Sequence, residues 1–312
     1  MVATAEHRPD NTVLAVTLII VAVFMMSIQD MVFKYYSTTM TLWQIFTLRG
    51  VFSIPMVFVL AFATGRRRDL WSGAFSGWSV FRSVLVVTML ISMYAALPHL
   101  SLSVVAAGIY TAPIFVTLMS AYAINEPVGP RGWVAIAIGF MGVLIILQPG
   151  TDAFSYWVLL PVFGGFLYAL ANIVTRAKCQ SVTATALALS LQSGFFVAGV
   201  LMSIVLMIWP ASPTQLEHAA FILGPWGSLT TFQWILVAGL SSLAVLISMA
   251  LAGAYQLGRP STVATFDYSY LVFVVIWDYL IFNITPTVTT TVGIALIVLA
   301  GLLVLRRDNV ST

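Results

Sequence analysis

The chain has 312 residues, of which 61% are hydrophobic and only 7% are charged. A soluble domain carries about 25% charged residues, so this composition excludes a soluble enzyme, a nucleic-acid binder and a disordered chain. The mean hydropathy of +1.03 indicates an integral membrane protein made of helices, because β-barrels alternate polar and apolar residues and have low hydropathy. One cysteine, Cys179, excludes an intrachain disulfide and a cysteine-based metal cage.

Ten segments of the chain are apolar over about 20 residues, the length that crosses a bilayer. Proline, glycine and clustered charges separate them, as at Arg66–Arg68 and Pro210. The long link 210–231 carries Phe221 and Trp226, which favours a position along the membrane surface. The first segment predicts a retained helix, since its apolar run is too long for a signal peptide. We therefore predict ten transmembrane helices, at 13–35, 42–63, 76–97, 101–123, 131–148, 157–176, 184–209, 232–256, 261–282 and 287–305.

Basic residues are concentrated on one side of the predicted spans. With the N-terminus inside, ten of the thirteen lysine and arginine residues fall in cytoplasmic segments. Lys34 falls near the outside, whereas Arg49 and Arg82 lie within spans. Because cytoplasmic loops are enriched in Lys and Arg, we predict that both ends of the chain are cytoplasmic. The ten are Arg8, Arg66, Arg67, Arg68, Arg131, Arg176, Lys178, Arg259, Arg306 and Arg307.

The two halves of the chain resemble each other. The sequence LISM at 90–93 recurs at 246–249, and residues 104–106 parallel residues 262–264. Pro127 is followed fifteen residues later by glycine, and so is Pro286. These matches predict one membrane domain made of two five-helix repeats, 1–149 and 150–312. Since five is odd, the second repeat enters the membrane from the opposite side, a layout typical of secondary transporters with a substrate site near the midplane.

At these positions the chain also resembles a known family, the EamA-like branch of the drug/metabolite transporter superfamily. The resemblance implies a ten-helix inverted repeat, no ATP site or cofactor, and transport of small metabolites such as amino acids, nucleoside derivatives or vitamins. The family's Glu-Pro turn is present as Glu126 and Pro127, but its counterpart in the second half has Thr285 in place of glutamate. The segments that carry the resemblance are 81–82, 94–100, 110–115, 125–129 and 139–143, together with Asp30, Lys34, Gln44 and Arg49.

Five charged residues lie well inside the predicted spans, where an unpaired charge is costly. Asp30 and Arg49 fall at a similar depth near the outer side, and Arg82 and Asp267 fall at a similar depth near the inner side. One interpretation makes Arg82 and Asp267 substrate-binding residues that approach each other in at least one conformational state. It makes Asp30, Arg49 and Asp278 gating or coupling residues. The other interpretation makes all five structural ion pairs or residues that reach the interface.

Two local alternatives stay open from the sequence alone. Asp30 and Lys34 are four residues apart on one helix, a spacing at which the two side chains can pair with each other. Asp278 lies only four residues from the predicted outer end of its span, where a structural role is favoured.

Several aromatic residues lie deep in the spans or beside the buried charges, where a tyrosine needs a hydrogen-bond partner. A cavity would supply such partners, and packing is the plainer alternative. The family places the fourth and ninth spans at the central cavity, which favours Tyr110, Tyr268 and Tyr270. Pro113 lies within the fourth span and predicts a kink or hinge. The candidate cavity residues are Tyr94, Tyr110, Tyr268, Tyr270 and Trp277, and Tyr168 and Phe266 are also deep.

The sequence contains no catalytic motif and no cluster with metal-ligand spacing, and its histidines lie near ends or loops. The sequence predicts a secondary carrier that works by alternating access in a bacterial cytoplasmic membrane, with lipid, a small substrate and protons as partners. Carboxylates beside tyrosines favour a zwitterionic or cationic substrate, such as an amino acid, a quaternary amine or S-adenosylmethionine. Proton coupling, exchange and oligomerisation are left open. The alternatives are a carrier of a vitamin or aromatic drug-like compound and, from another class, a channel or a membrane-embedded enzyme.

Overall fold

The computed structural model describes residues 11–36, 39–63, 69–100, 102–123, 129–148, 155–285 and 287–308, and this part of the chain is helical without strands. The helices of the first half are α1 (Thr12–Tyr36), α2 (Leu42–Ala63), α3 (Leu70–Ala74), α4 (Gly77–Ala96), α5 (Leu102–Ile109), α6 (Ala112–Ala123) and α7 (Pro130–Leu147). Those of the second half are α8 (Leu159–Lys178, preceded by a 3₁₀ turn at Tyr156–Val158), α9 (Ala184–Ile208), α10 (Pro213–Leu223), α11 (Thr231–Leu257), α12 (Pro260–Asp267), α13 (Ser269–Leu280) and α14 (Val288–Asp308).

Eight helical stretches of the described chain are long and apolar enough to cross a membrane, and each coincides with a predicted span. The other two predicted spans are also helical, as α7 and α14. Their apolar parts are shorter, at Gly132–Ile146 and Val288–Ala300. The chain is therefore a multi-pass helical membrane protein.

The two halves of the chain make matching helix contacts. α7 packs along α14, and α2 packs along α9. α4 packs against α8, just as α1 packs against α11. The short helix α3 lies on α9, and the surface helix α10 contacts α2. In the order of the spans, α1, α2, α4 and α7 correspond to α8, α9, α11 and α14, and the short helix α3 corresponds to α10. When each helix is exchanged for its counterpart, the same set of contacts results.

Helix α10 lies in the long link that was predicted only to follow the membrane surface. It begins with a capping box, in which the side chains of Ser212 and Gln215 each bond the other residue's backbone. The link is tied down by α2, since the Trp43 indole donates to the Ile222 carbonyl at 2.7 Å. It therefore forms an ordered cover over one end of the bundle.

The two ends of the bundle are fixed by contacts between α1 and the second half. At one end, the Asn11 backbone N–H donates to the Leu257 carbonyl at 2.8 Å. At the other end, Lys34 near the end of α1 forms an ion pair with Asp278 of α13. We call these the Asn11 end and the Lys34 end.

Two helical spans are broken near their middle, and both breaks carry a tyrosine. The first break is at Tyr110 and Thr111, between α5 and α6, and the second is at Tyr268, between α12 and α13. Pro113 is the second residue of α6, so the structure places it just after a break rather than inside a continuous helix. Its missing N–H is therefore tolerated at a helix start.

The first break lies directly on α8. A Cβ added at Gly165 would lie 2.6 Å from the Ile109 carbonyl oxygen and 2.8 Å from the Thr111 Oγ1. Only glycine permits this approach, because any side chain there would collide with the end of α5. The close approach at Gly165 therefore fixes the position of Tyr110, which follows the end of α5.

Candidate functional site

The first candidate cluster surrounds Asp30, which is buried on α1 at 2% exposure. The Tyr94 hydroxyl donates to Asp30 Oδ1 at 2.8 Å, and the Tyr270 hydroxyl donates to Asp30 Oδ2 at 2.6 Å. Both distances are normal for O–H···O hydrogen bonds. The carboxylate thus joins α1, α4 and α13, and each of its oxygens has a short bond.

The second cluster surrounds Asp267, the last residue of α12, which is 1% exposed. Here the Tyr110 hydroxyl lies 3.4 Å from Oδ1 and the Tyr255 hydroxyl lies 3.5 Å from Oδ2. These distances are at the long limit for a hydrogen bond between oxygens. The Tyr168 hydroxyl also interacts with this carboxylate, outside normal hydrogen-bond geometry. The Asp267 carboxylate is therefore surrounded by hydroxyl groups, but none of them makes a short hydrogen bond with it.

Two stacked tyrosine rings connect the clusters. The ring centroids of Tyr110 and Tyr270 are 5.3 Å apart, with an angle of 27° between the ring planes. Tyr270 bonds Asp30 and Tyr110 bonds Asp267. The stack therefore lies between a carboxylate toward the Lys34 end and a carboxylate toward the Asn11 end.

Each cluster has a buried arginine nearby. Arg49 of α2 is 4% exposed, and its Nε and Nη1 atoms make no hydrogen bond. Its guanidinium lies 4.7 Å from the centre of the Phe195 ring and interacts electrostatically with Asp30. Arg49 therefore has partial compensation from an aromatic face and a nearby carboxylate.

The arginine toward the Asn11 end is Arg82 of α4, also 4% exposed. Its Nε donates to Thr175 Oγ1 of α8 at 2.7 Å, but its Nη1 makes no hydrogen bond. On α8, the Asn172 Nδ2 and the Tyr168 hydroxyl are also buried and also lack a hydrogen bond. Three unpaired donor atoms thus lie between α4 and α8.

A narrow pocket lies between the two carboxylate clusters. It has room for about one water molecule, so the site is closed in this conformation. Polar groups from both clusters meet there, and methionines, which adapt to ligands of different shapes, form much of the remaining wall. The lining residues are Met26, Asp30, Met89, Met93, Ala106, Ile109, Tyr110, Tyr168 and Tyr270.

Two predicted ion pairs are absent from this structure. Among the described residues Arg82 and Asp267 form no salt bridge, because Thr175 takes the Arg82 Nε and tyrosines surround the carboxylate. The alternative pairing of Asp30 with Lys34 is not seen among the described residues, where Lys34 Nζ lies 3.5 Å from Asp278 Oδ1. Asp278 is thereby placed at the Lys34 end and away from the pocket.

Five predicted cavity or binding residues lie outside the pocket lining: Arg82 and Asp267, described above, Tyr94, whose hydroxyl donates to Asp30, and two further aromatic residues. The Trp277 indole donates to Ser27 Oγ at 2.9 Å and joins α13 to α1. The Tyr268 ring lies 5.8 Å from that of Tyr110, but its hydroxyl points toward Gly139 of α7, where an added Cβ would come within 3.1 Å. The predicted family turn at Glu126 and Pro127 lies outside the described residues.

Three polar residues of the site were not among the predicted site residues. Tyr255 lies close to the end of its span, Tyr168 was counted only as a deep aromatic residue, and Asn172 is uncharged. All three were detectable as polar groups inside apolar segments. Their convergence was not, because it depends on how α8 and α11 pack against α12.

Comparison with known proteins agrees with this architecture. Residues 13–148 match the model of the EamA-like transporter family. The match covers most of the first predicted five-helix repeat. The predicted resemblance is confirmed, and the family and the named relatives are transporters.

Bacterial relatives match most of the chain. A riboflavin transporter of Vibrio cholerae is 28% identical over 80% of this chain and 78% of its own length. A riboflavin transporter of Rhizobium johnstonii is 26% identical, over 87% and 82%. An S-adenosylmethionine uptake transporter of Rickettsia prowazekii is 23% identical, over 91% and 90%. These bacterial relatives agree with the predicted location in a bacterial cytoplasmic membrane.

A known crystal structure has the same fold. It superposes with a TM-score of 0.71 and covers 95% of this chain and 99% of its own. The two sequences are 13% identical, so the likeness concerns the fold alone.

Proposed function

We propose that the chain is a secondary carrier that moves a small polar metabolite by alternating access. The observation that carries this proposal is the closed pocket between two buried carboxylates, with arginine donors unpaired on its flanks. Buried charges without ion partners are costly in a membrane and are typical of substrate and ion pathways. A closed pocket at mid-depth is the form expected between an outward-open and an inward-open state.

The carrier has ten spans arranged as two inverted five-helix repeats, 1–149 and 150–312. The matching helix contacts support this arrangement, since α2 with α9 and α7 with α14 each pair counterparts across the halves. The two helix breaks also correspond, at Tyr110 and Tyr268. In this proposal the shorter helices α7 and α14 are the fifth and tenth spans.

Both termini are cytoplasmic in this proposal, so the Asn11 end faces the cytoplasm. The test introduces cysteines at Ser212 and Gly129 and labels intact cells with a membrane-impermeant maleimide. The native Cys179 interferes little, because it is 0% exposed and burial raises the pKa of its thiol. Ser212→Cys should label from outside and Gly129→Cys only after permeabilisation, and the reverse pattern would contradict the orientation.

The substrate proposed first is zwitterionic or cationic, such as an amino acid, a quaternary amine or S-adenosylmethionine. Carboxylates attract an ammonium or sulfonium group, and the tyrosine faces add cation–π attraction. The S-adenosylmethionine uptake transporter among the relatives is consistent with this class. Substrate cations and protons would meet the same carboxylates, so proton coupling or exchange belongs to this proposal.

The second candidate is a vitamin or another aromatic compound. The stacked rings of Tyr110 and Tyr270 offer a flat surface that an aromatic ring can replace or extend. Two of the relatives are riboflavin transporters, which favours this candidate independently of the charges.

The transport test uses the purified chain in proteoliposomes. Vesicles preloaded with unlabelled compound should accumulate the labelled form by counterflow, which a channel or an enzyme does not produce. Labelled S-adenosylmethionine, methionine, choline and riboflavin separate the two candidates. Absence of counterflow for every compound, with the protein folded and inserted, would reject the carrier proposal.

A further inference from the structure

The donor atoms between α4 and α8 have a feature that the carrier proposal alone does not require. Arg82 Nη1, Asn172 Nδ2 and the Tyr168 hydroxyl are all hydrogen-bond donors, all buried, and all without a hydrogen bond. A buried donor left unsatisfied costs about 1–3 kcal/mol, and more if it is charged. Three such donors in one place indicate a binding site for a group that accepts hydrogen bonds.

The three donors face the same region. Asn172 follows Tyr168 by four residues on α8, and Thr175, which accepts from Arg82 Nε, follows one turn later. These positions share one face of the helix. Arg82 reaches this face from α4 and interacts electrostatically with Tyr168. The donors therefore converge from two helices, and their residues are between 4% and 6% exposed.

The nearby carboxylate does not satisfy the Arg82 guanidinium. Asp267 and Asn172 both lie near enough to the Tyr168 hydroxyl for a weak side-chain interaction, although neither makes a hydrogen bond of normal geometry with it. Asp267 forms no salt bridge with Arg82 among the described residues. Tyr168 thus lies between a weakly held carboxylate and an arginine with a free donor. This places a site for a positive group and a site for a negative group side by side.

We propose that Arg82, Asn172 and Tyr168 form an anion subsite that holds the carboxylate of the transported molecule while Asp267 holds its ammonium group. A carboxylate has about four acceptor positions and matches a guanidinium, an amide and a hydroxyl together. The substrate class is then a molecule with an α-amino acid head. This proposal rests on the carrier function and narrows it, since riboflavin has no such head.

Arg49 is not assigned this role. Its guanidinium lies on the Phe195 ring and near Asp30, in the other cluster from Tyr168 and Asn172. It is therefore the matched control, because it is a second buried arginine with unpaired donors outside the subsite.

The experiment measures binding of amino acids and of the amines that lack their carboxylate. The probes are methionine with 3-(methylthio)propylamine, tyrosine with tyramine, and S-adenosylmethionine with its decarboxylated form. Affinities are measured on the purified full chain in detergent. For each amino acid that binds, the wild-type chain should have at least about tenfold higher affinity for the amino acid than for the matching amine, as expected for a hydrogen-bonded charge.

The variants test which residues cause that difference in affinity. Arg82→Gln should reduce the ratio of the two affinities to about one, mainly by weakening the amino acid. Arg49→Gln should leave the ratio at its wild-type value, even if both affinities change. If Arg82→Gln does not fold, Asn172→Asp supplies the test, because a carboxylate placed there repels the ligand carboxylate and should reverse the preference.

Two results would overturn the subsite. One is a wild-type chain that binds no amino acid of the panel, or binds each no better than its amine. The other is a preference that survives Arg82→Gln and Asn172→Asp. Counterflow of riboflavin alongside either result would leave the carrier proposal standing, whereas amino-acid binding that depends on Arg82 without any counterflow would reject the carrier and keep the subsite.

Discussion

The clusters around Asp30 and Asp267 contain the same groups but differ in how tightly those groups bond. Both carboxylates are buried, Asp30 is bonded by two tyrosine hydroxyls, and Asp267 is approached by the hydroxyls of Tyr110, Tyr255 and Tyr168. Around Asp30 the donor distances are 2.8 and 2.6 Å, whereas around Asp267 they are 3.4 and 3.5 Å. Hydrogen bonds between oxygens are strongest below about 3.0 Å, so the Asp30 cluster is complete and the Asp267 cluster is not.

From this difference we expect Asp30, although it lines the pocket, to contribute mainly to structure, and Asp267 to contribute mainly to ligand binding. The short bonds of Asp30 hold three helices together at the Lys34 end. The long bonds of Asp267 leave the carboxylate able to accept a better donor, such as an ammonium group. Both arginines have unpaired donors, but they differ in what surrounds them, because Arg49 lies on an aromatic ring while Arg82 lies beside the unpaired donors of Asn172 and Tyr168.

The largest effect is expected from Asp267→Asn in transport. The substitution keeps the shape but removes the charge that attracts a substrate cation, so kcat/KM should fall about 100-fold, or about 2.7 kcal/mol. Thermal stability should change little, because the lost hydrogen bonds are long. Asp30→Asn is the control and should lower kcat/KM by less than about tenfold. Equal losses from the two variants would contradict the division of roles.

The next effect concerns stability, where we expect the larger loss from substitution of Asp30 and the smaller loss from substitution of Asp267. Asp30→Ala leaves the hydroxyls of Tyr94 and Tyr270 buried without acceptors, which should cost about 2 kcal/mol of unfolding free energy. Asp267→Ala breaks only long bonds and should cost about half as much. Unfolding in mixed micelles with increasing denaturing detergent measures both. A larger loss from Asp267→Ala would show that bond length does not report the strength of these clusters.

A smaller effect tests whether the first helix break positions Tyr110 for Asp267. Gly165→Ala places a Cβ 2.6 Å from the Ile109 carbonyl, so α8 or the break must move, at a cost of about 1–2 kcal/mol. Gly164→Ala is the matched control, since the nearest atom to its added Cβ is at 3.4 Å. Transport should fall in the first variant and persist in the second. Similar behaviour of the two would mean that the break is not held by this contact.

The sequence predicted where the helices lie better than which groups meet. Long apolar runs fix a membrane helix locally, so the spans agree with the helices to within a few residues, apart from the breaks at Tyr110 and Tyr268. Depth estimates placed Arg82 and Asp267 at one level and so suggested a pair. They could not show that Thr175 would take the Arg82 Nε, because that depends on the rotation of α8 about its axis.

Most of the site residues that the sequence failed to predict are neutral polar residues. Asn172, Tyr168 and Tyr255 carry no charge, so a search for buried charges passes over them. Asp30 shows the opposite error, since a charge four residues from Lys34 suggests a local pair. The tyrosine hydroxyls from α4 and α13 are far away in the sequence but bond Asp30 at short distance, while Lys34 reaches Asp278 instead.

The smallest effect is expected at the Lys34–Asp278 pair, which lies beyond the Asp30 cluster at the same end. The Lys34 side chain is 15% exposed and its Nζ lies 3.5 Å from Asp278 Oδ1. A partly exposed pair contributes about 0–1 kcal/mol, so a cycle of Lys34→Gln, Asp278→Asn and the double variant should give a coupling below about 1 kcal/mol. Transport by all three should stay within about twofold of wild type, because neither residue lines the pocket. A loss of transport that the double variant restores would instead make the pair a gate, and the Lys34 end would then take part in the transport cycle beyond holding the helices together.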